Sequence, residues 1–294
     1  MGDNGGASVA GADRVRVSRA ITDRLRAAMS WDGVFCLLAL DHRDAMRNAF
    51  ARVGIENVSA STMLEVKGRI ADVLGSRASG ILADPDAAER CRPKDGGVLM
   101  PLEAQGHEAF AGGRLSRLEF SAADVAALGA DGCKLLVYYR PDHGETAWRQ
   151  RELIDQAVAD AHAHGLPLVL EPLVYRLEGE TDYRVSDLVV AAARDLASAG
   201  ADLLKLPFPG SRQACRELTD LADWVLLGGR DTSREMFAAQ LDIATNAGAR
   251  GFIAGRPIWG GVLGLDETGQ RKWLAEQAAP YFDRLTDIAH GRRG

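Results

Sequence analysis

The chain has 294 residues, 47% of them hydrophobic and 26% charged, and a formal net charge of −6. This length and balance provide for a large buried core and set aside a chain that is disordered throughout. Excess negative charge argues against general nucleic-acid binding, which needs a basic surface, and the longest apolar run, residues 34–40, is far too short to cross a bilayer.

Residues 1–14, rich in Gly, Ala and Asp, read as a flexible tail without the apolar stretch of a secretory leader. One domain is expected over 15–294, because no Pro/Ser-rich linker or composition shift divides the remainder. Short apolar runs then alternate with amphipathic stretches. The expected strands are 34–40, 81–83, 98–102, 134–138, 168–173, 203–206, 224–227 and 252–254. Helical patterns fall at 146–164, 185–198, 233–247 and 272–290. In the first of these, Leu153, Ile154, Ala157, Val158 and Ala161 mark one buried face. Gly165, Gly200 and Gly248 stand where helix C-terminal caps are expected. The polar, proline-bearing stretch 84–95 reads as a long active-site loop, with Asp84 as a turn residue before Pro85.

Eight strands separated by helices predict a parallel α/β fold, and eight is the number that closes a single (β/α)8 TIM barrel. An open doubly wound sheet should carry a glycine-rich fingerprint after its first strand, but Leu40 is followed by Asp41-His42-Arg43. Cys36, Cys91, Cys133 and Cys215 are widely spaced, with no CxxC pair. They predict a reducing, cytoplasmic setting and no zinc site.

Residues at the C-terminal ends of barrel strands converge on one mouth. Reading each strand to its end gives Asp41, Asp84, Glu103, Lys134, Glu171, Lys205, Gly228-Gly229 and Gly255-Arg256. Each alone reads as a solvated terminus. Lys134, Glu171 and Lys205, however, lie within apolar runs and must find partners if buried. A second ammonium at Lys134 would favour the free amine of Lys205, the form that attacks a ketone to give an imine. Glu171 could then move protons during imine formation, and Asp41 could take the proton of a substrate hydroxyl. At the last two exits, Gly228-Gly229-Arg230 and Gly255-Arg256 suit an anion, since glycines let backbone N–H groups approach closely. His42 and Arg43 complete the candidate substrate-binding set at the first exit.

Six segments in one order carry a resemblance. They are residues 38–46 (LALDHRDAM), 81–85 (ILADP), 132–139 (GCKLLVYY), 170–174 (LEPLV), 201–205 (ADLLK) and 251–259 (GFIAGRPIW). The chain resembles the class I tagatose-1,6-bisphosphate aldolases and the sulfofructosephosphate aldolases from about residue 34 to the helix after Trp259. The resemblance implies a TIM barrel, a Schiff-base lysine at Lys205 and active-site residues at Asp41, Lys134 and Glu171. It also implies anion-binding positions at Gly228 and Gly255-Arg256, and release of dihydroxyacetone phosphate and an aldehyde with no metal or other cofactor. Three positions depart from the family pattern. Lys205 is followed by Leu206-Pro207 where Val-Glu is usual, the seventh exit is Gly-Gly-Arg rather than a Ser-x-Gly-Val type, and His42 replaces a common glutamine.

The expected function is therefore cleavage of a ketose 1-phosphate through a lysine imine. Tagatose or fructose 1,6-bisphosphate, or 6-deoxy-6-sulfofructose 1-phosphate, is the substrate class. The alternatives are a noncatalytic sugar-phosphate sensor and a metal-dependent lyase of the same fold. For the latter, His162-x-His164 is a poor ligand pair, because residues two apart on a helix diverge. The expected partner is a small sugar phosphate, possibly sulfonated, with no nucleic acid and no membrane. A homo-oligomer is expected too, although the stripe Trp273, Leu274, Tyr281, Phe282 and Leu285 fits closure of the barrel's outer ring.

Overall fold

The computed structural model describes residues 22–229 and 232–292, so the predicted tail and Arg230 lie outside the described residues. Its strands are β1 (Phe35–Leu40), β2 (Gly80–Ala83), β3 (Gly97–Pro101), β4 (Glu108–Phe110), β5 (Gly113–Leu115), β6 (Gly132–Tyr138), β7 (Leu168–Leu173), β8 (Leu203–Leu206), β9 (Trp224–Leu227) and β10 (Gly251–Ala254). Eight of them close a barrel in the order β1-β10-β9-β8-β7-β6-β3-β2, all pairs parallel. This is the expected (β/α)8 barrel. β4 and β5 form an antiparallel hairpin between β3 and β6.

Side-chain alternation divides the strands between two cores. Cys36, Leu38, Leu40, Ile81, Val98, Leu135, Leu170, Leu204 and Leu226 point outward and pack beneath the helices. Phe35, Leu37, Ala39, Leu82, Leu99, Val169, Leu203, Val225 and Ile253 point inward and form a separate interior cluster. The helical residues 22–29 seal the N-terminal end of that interior with Leu25 and Met29. Gly97 makes room for this plug, since a Cβ there would sit 2.9 Å from Met29 Cγ. The same inward parity, continued toward the C-terminal ends, carries Asp41, Glu103, Lys134, Glu171 and Lys205. An apolar floor therefore gives way to charge at the mouth.

The outer helices begin where hydroxyl and carboxylate side chains can cap them. Ser59, Ser211 and Ser233 each accept a hydrogen bond from a backbone N–H of the first turn. Gly165, Gly200 and Gly248 all have positive φ, as their cap positions require. Residues 84–95 are not a long loop. Asp84 caps a helix over Pro85–Cys91, accepting from Ala87 N, with Pro85 at its first position. Asp84 is buried and ion-paired with Lys67 of the helix Ala60–Leu74, so it is a packing element rather than a turn residue.

The C-terminal pattern 272–290 resolves into helices Glu267–Trp273 and Ala279–Ala289 joined by a π turn, Leu274–Ala278. Leu274, Tyr281, Phe282 and Leu285 are buried within the chain, so the stripe closes the outer ring. No helix among the described residues is long and apolar enough to cross a membrane.

Candidate active site

The strand ends enclose a cavity of about 500 Å³. Its lining includes Asp41, His42, Arg43, Lys134, Glu171, Lys205, Gly228, Gly229, Gly255 and Arg256. Every described site residue expected from the sequence therefore borders one space, and Arg230 lies outside the described residues. Asp84 does not line it, because its carboxylate turns outward to Lys67.

At the cavity floor two lysines share carboxylates. Lys205 Nζ donates to Glu171 Oε2 at 2.8 Å, and both side chains are nearly inaccessible, at 4% and 5%. Lys134 Nζ donates to Asp41 Oδ2 at 3.1 Å and to Glu103 Oε1 at 2.6 Å, and stands 3.2 Å from the same Glu171 oxygen. Glu103 also accepts from Leu136 N at 3.0 Å, which pins it to β6. The network thus sets two ammonium groups against three carboxylates. Asp41, Glu103 and Glu171 surround Lys134, so its charge is met by carboxylates on three strand exits. Glu103 is the network member that sequence reasoning left out of the site, although its place at a strand exit was visible.

Charge and burial compete within this network. Burial alone would lower the proton affinity of Lys134, but the three carboxylates outweigh it and hold its pKa well above the usual lysine range. Burial would raise Glu171 and Asp41. Lys134 and Lys205 overcome that for Glu171, and Lys134, His42 and Lys205 do so for Asp41, so both stay below the ordinary carboxylate range. For Glu103 burial prevails over Lys134, and its pKa is raised.

The neighbouring residues have more fixed duties. Burial is the main cause of a His42 pKa lowered to about 4, assisted by Arg256, Lys205 and Lys67 against Asp41, so the ring is neutral at pH 7. Its ring meets Trp259 edge-on at 5.3 Å, and Trp259 Nε1 donates to the Ala39 carbonyl at 2.9 Å. Arg43 is anchored to Glu119 at 2.7 Å and to the Glu103 carbonyl at 2.9 Å, so its charge is already engaged. A Cβ on Gly255 would fall 2.5 Å from Ala39 O, and one on Gly228 would fall 2.8 Å from Ala254 Cβ. Close packing therefore demands both glycines, whatever they bind.

The paired histidines lie elsewhere. His162 Nε2 contacts Asp202 Oδ2 at 2.9 Å, where Asp202 also accepts from Leu168 N at the opposite end of β7. His164 Nδ1 lies 2.9 Å from the Asp160 carbonyl. Neither borders the cavity. No cluster of three His, Cys, Asp or Glu side chains suited to a metal occurs among the described residues. The four cysteines are buried, and burial raises their thiols to about 11 for Cys215 and about 12 for the others.

Residues 35–261 match the family model of the DeoC/LacD family aldolases. The chain is 27% identical to tagatose 1,6-diphosphate aldolase 2 of Streptococcus pyogenes serotype M3 over 314 residues, covering 91% of this chain and 95% of that protein. It is also 27% identical to the tagatose 1,6-diphosphate aldolase of Staphylococcus aureus, covering 87% and 91%. In fold it matches an archaeal fructose-1,6-bisphosphate aldolase whose catalytic lysine is covalently bound to the carbinolamine intermediate of the substrate. That match has a TM-score of 0.69 at 20% identity, over 92% of this chain and all of the other.

Proposed function

As a member of the DeoC/LacD aldolase family this chain is a carbon–carbon lyase, and we propose that it cleaves a ketose 1-phosphate through an imine on Lys205. The substrate class is tagatose or fructose 1,6-bisphosphate, or 6-deoxy-6-sulfofructose 1-phosphate, and the products are dihydroxyacetone phosphate and an aldehyde. The observation that carries this reading is the Lys205–Glu171 contact of 2.8 Å at the cavity floor. It supports a reading in which Lys205 is the nucleophile and Glu171, within hydrogen-bond reach, its proton acceptor.

In this reading Lys205 passes a proton to Glu171 and its free amine attacks the C2 ketone. Glu171 returns a proton to the carbinolamine oxygen, and water leaves to form the iminium. Asp41, kept ionised by its neighbours, takes the C4 hydroxyl proton as the C3–C4 bond breaks. The bonding pair moves into the iminium to give an enamine, and the aldehyde departs. Protonation at C3 and hydrolysis then release dihydroxyacetone phosphate and regenerate the amine. Lys134 holds Asp41 and Glu171 in place through both steps. The C1 phosphate is assigned to the Gly228-Gly229 and Gly255-Arg256 exits; Arg43 serves as a brace and His42 as a neutral wall.

The test is release of dihydroxyacetone phosphate from each of the three ketose phosphates in the presence of EDTA, followed by coupled reduction to glycerol 3-phosphate. Cleavage of at least one is expected. A protein that is stabilised by these sugars but turns over none of them is a sensor, and activity abolished by EDTA marks a metal-dependent lyase.

A further inference from the structure

For a substrate whose C1 phosphate sits at the β9 and β10 exits, the barrel order gives the direction of its second end. In the ring β1-β10-β9-β8-β7-β6-β3-β2, the β9 and β10 exits stand diametrically opposite β6 and β3. A substrate whose C1 phosphate rests on the β9–β10 loops therefore extends across the mouth toward β6 and the β4–β5 hairpin. The inward residue at the end of β6 is Tyr138, which lines the cavity.

Against Tyr138 stands Arg114 of β5. Its guanidinium carbon lies 5.7 Å from the Tyr138 ring centroid and 4.9 Å from that of Tyr175. No hydrogen bond or ion pair to this guanidinium occurs among the described residues, whereas Arg43 is held by Glu119 and Arg140 by Asp142 and Glu180. Two aromatic rings thus flank a half-buried cation whose N–H edges can donate to an anion.

The hairpin itself is fastened. Arg114 N donates to Tyr175 Oη at 2.8 Å, and Tyr138 N donates to Ser116 Oγ at 3.0 Å. Gly113 is required for this seat, since a Cβ there would meet Tyr175 Oη at 2.8 Å. The His107 ring also meets Tyr138, with ring centroids 4.9 Å apart. Arg114 is therefore preorganised at the rim, one ring beyond the wall.

We infer that Arg114 holds the distal anionic group, phosphate or sulfonate, of the substrate and sets the preference for a doubly anionic ketose. This rests on the aldolase reading above. In the condensation direction, with dihydroxyacetone phosphate as donor, kcat/KM is measured for glyceraldehyde 3-phosphate, the three-carbon sulfonated aldehyde and neutral D-glyceraldehyde. Wild-type protein should prefer one anionic aldehyde, and which one identifies phosphate or sulfonate.

Arg114→Gln should reduce that preference by roughly 10- to 100-fold, the worth of a charge-assisted hydrogen bond, chiefly through KM. Arg114→Lys should restore part of it. An unchanged preference in Arg114→Gln, or none in the wild type, overturns the assignment; equal loss for all three aldehydes assigns Arg114 to hairpin structure and overturns it as well. Borohydride trapping of dihydroxyacetone phosphate on wild-type Lys205 separates the two levels. An adduct with unchanged preference defeats only the Arg114 assignment, whereas no adduct defeats the imine reading beneath it.

Discussion

Two buried lysine–carboxylate systems in this molecule look alike in sequence and differ in consequence. Between the helices Ala60–Leu74 and Pro85–Cys91, Lys67 meets Asp84 one to one, and the carboxylate also caps the second helix. At the barrel mouth, Lys134 and Lys205 divide three carboxylates, and the shared oxygen of Glu171 serves both. The first pair is closed, with each charge spent on its partner. The second borders a cavity, and under the proposed mechanism Lys205 passes its proton to Glu171 while Lys134 stays beside Asp41 and Glu103. A buried ion pair by itself signals neither stability nor chemistry. What separates the two is whether a group can change charge while its neighbours remain compensated.

Removing one lysine from each system tests that distinction. Lys134→Met leaves Asp41, Glu103 and Glu171 facing one another without their common cation. It should lower stability by about 3–5 kcal/mol in urea denaturation and remove turnover in the same protein. Lys67→Met should lower stability by about 3 kcal/mol, for want of Asp84's partner, yet leave the turnover of folded protein within a few-fold of wild type. Adding Asp84→Asn to Lys67→Met should recover most of that loss, because asparagine still caps the helix. If Lys67→Met abolishes turnover of folded protein, or Lys134→Met spares it, the contrast between the two systems is wrong.

A smaller effect concerns pH. His42 titrates at about 4 in the folded protein, well below the ordinary 6.5. Between those values the unfolded chain binds the extra proton, so stability is full above pH 6.5 and falls as pH drops toward 4. The full contribution is on the order of 3 kcal/mol, and about 2 kcal/mol of it falls between pH 7 and 5. Glu171 and Asp41, whose pKa values are also depressed, act in the same direction below the ordinary carboxylate range, whereas Glu103, whose pKa is raised, acts in the opposite direction above it and equally in wild-type and His42→Gln protein. Urea midpoints between pH 7 and 5 should therefore fall in the wild type and flatten in His42→Gln. Equal slopes in the two proteins would remove His42 from this account.

The barrel was legible because its strands are short apolar runs whose two faces are both buried, and the inward parity that fills the floor also delivers Asp41, Lys134, Glu171 and Lys205 to the mouth. Pairings that depend on distant segments were not legible. Nothing local to Arg43 shows that Glu119 will claim it. Asp84-Pro85 reads equally as a turn and as a helix cap, and the partner that decides between them, Lys67, lies seventeen positions earlier on another helix. The β4–β5 hairpin has three-residue strands, too short for alternation to register, so Arg114 drew no attention. Glu103 was visible as a strand-exit charge, but its part in the network depends on the β3–β6 register that sets Pro101 beside Lys134.

In the proposed mechanism Lys205 forms the imine while Lys134 serves as counter-ion. Intact-protein mass after mixing with dihydroxyacetone phosphate and sodium borohydride, followed by peptide mapping, addresses it directly. One reduced adduct is expected, on Lys205, and none in Lys205→Ala protein that retains the wild-type fold. An adduct on Lys134 would reverse the roles of the two lysines, and no adduct on protein that cleaves its substrate would contradict the imine mechanism altogether.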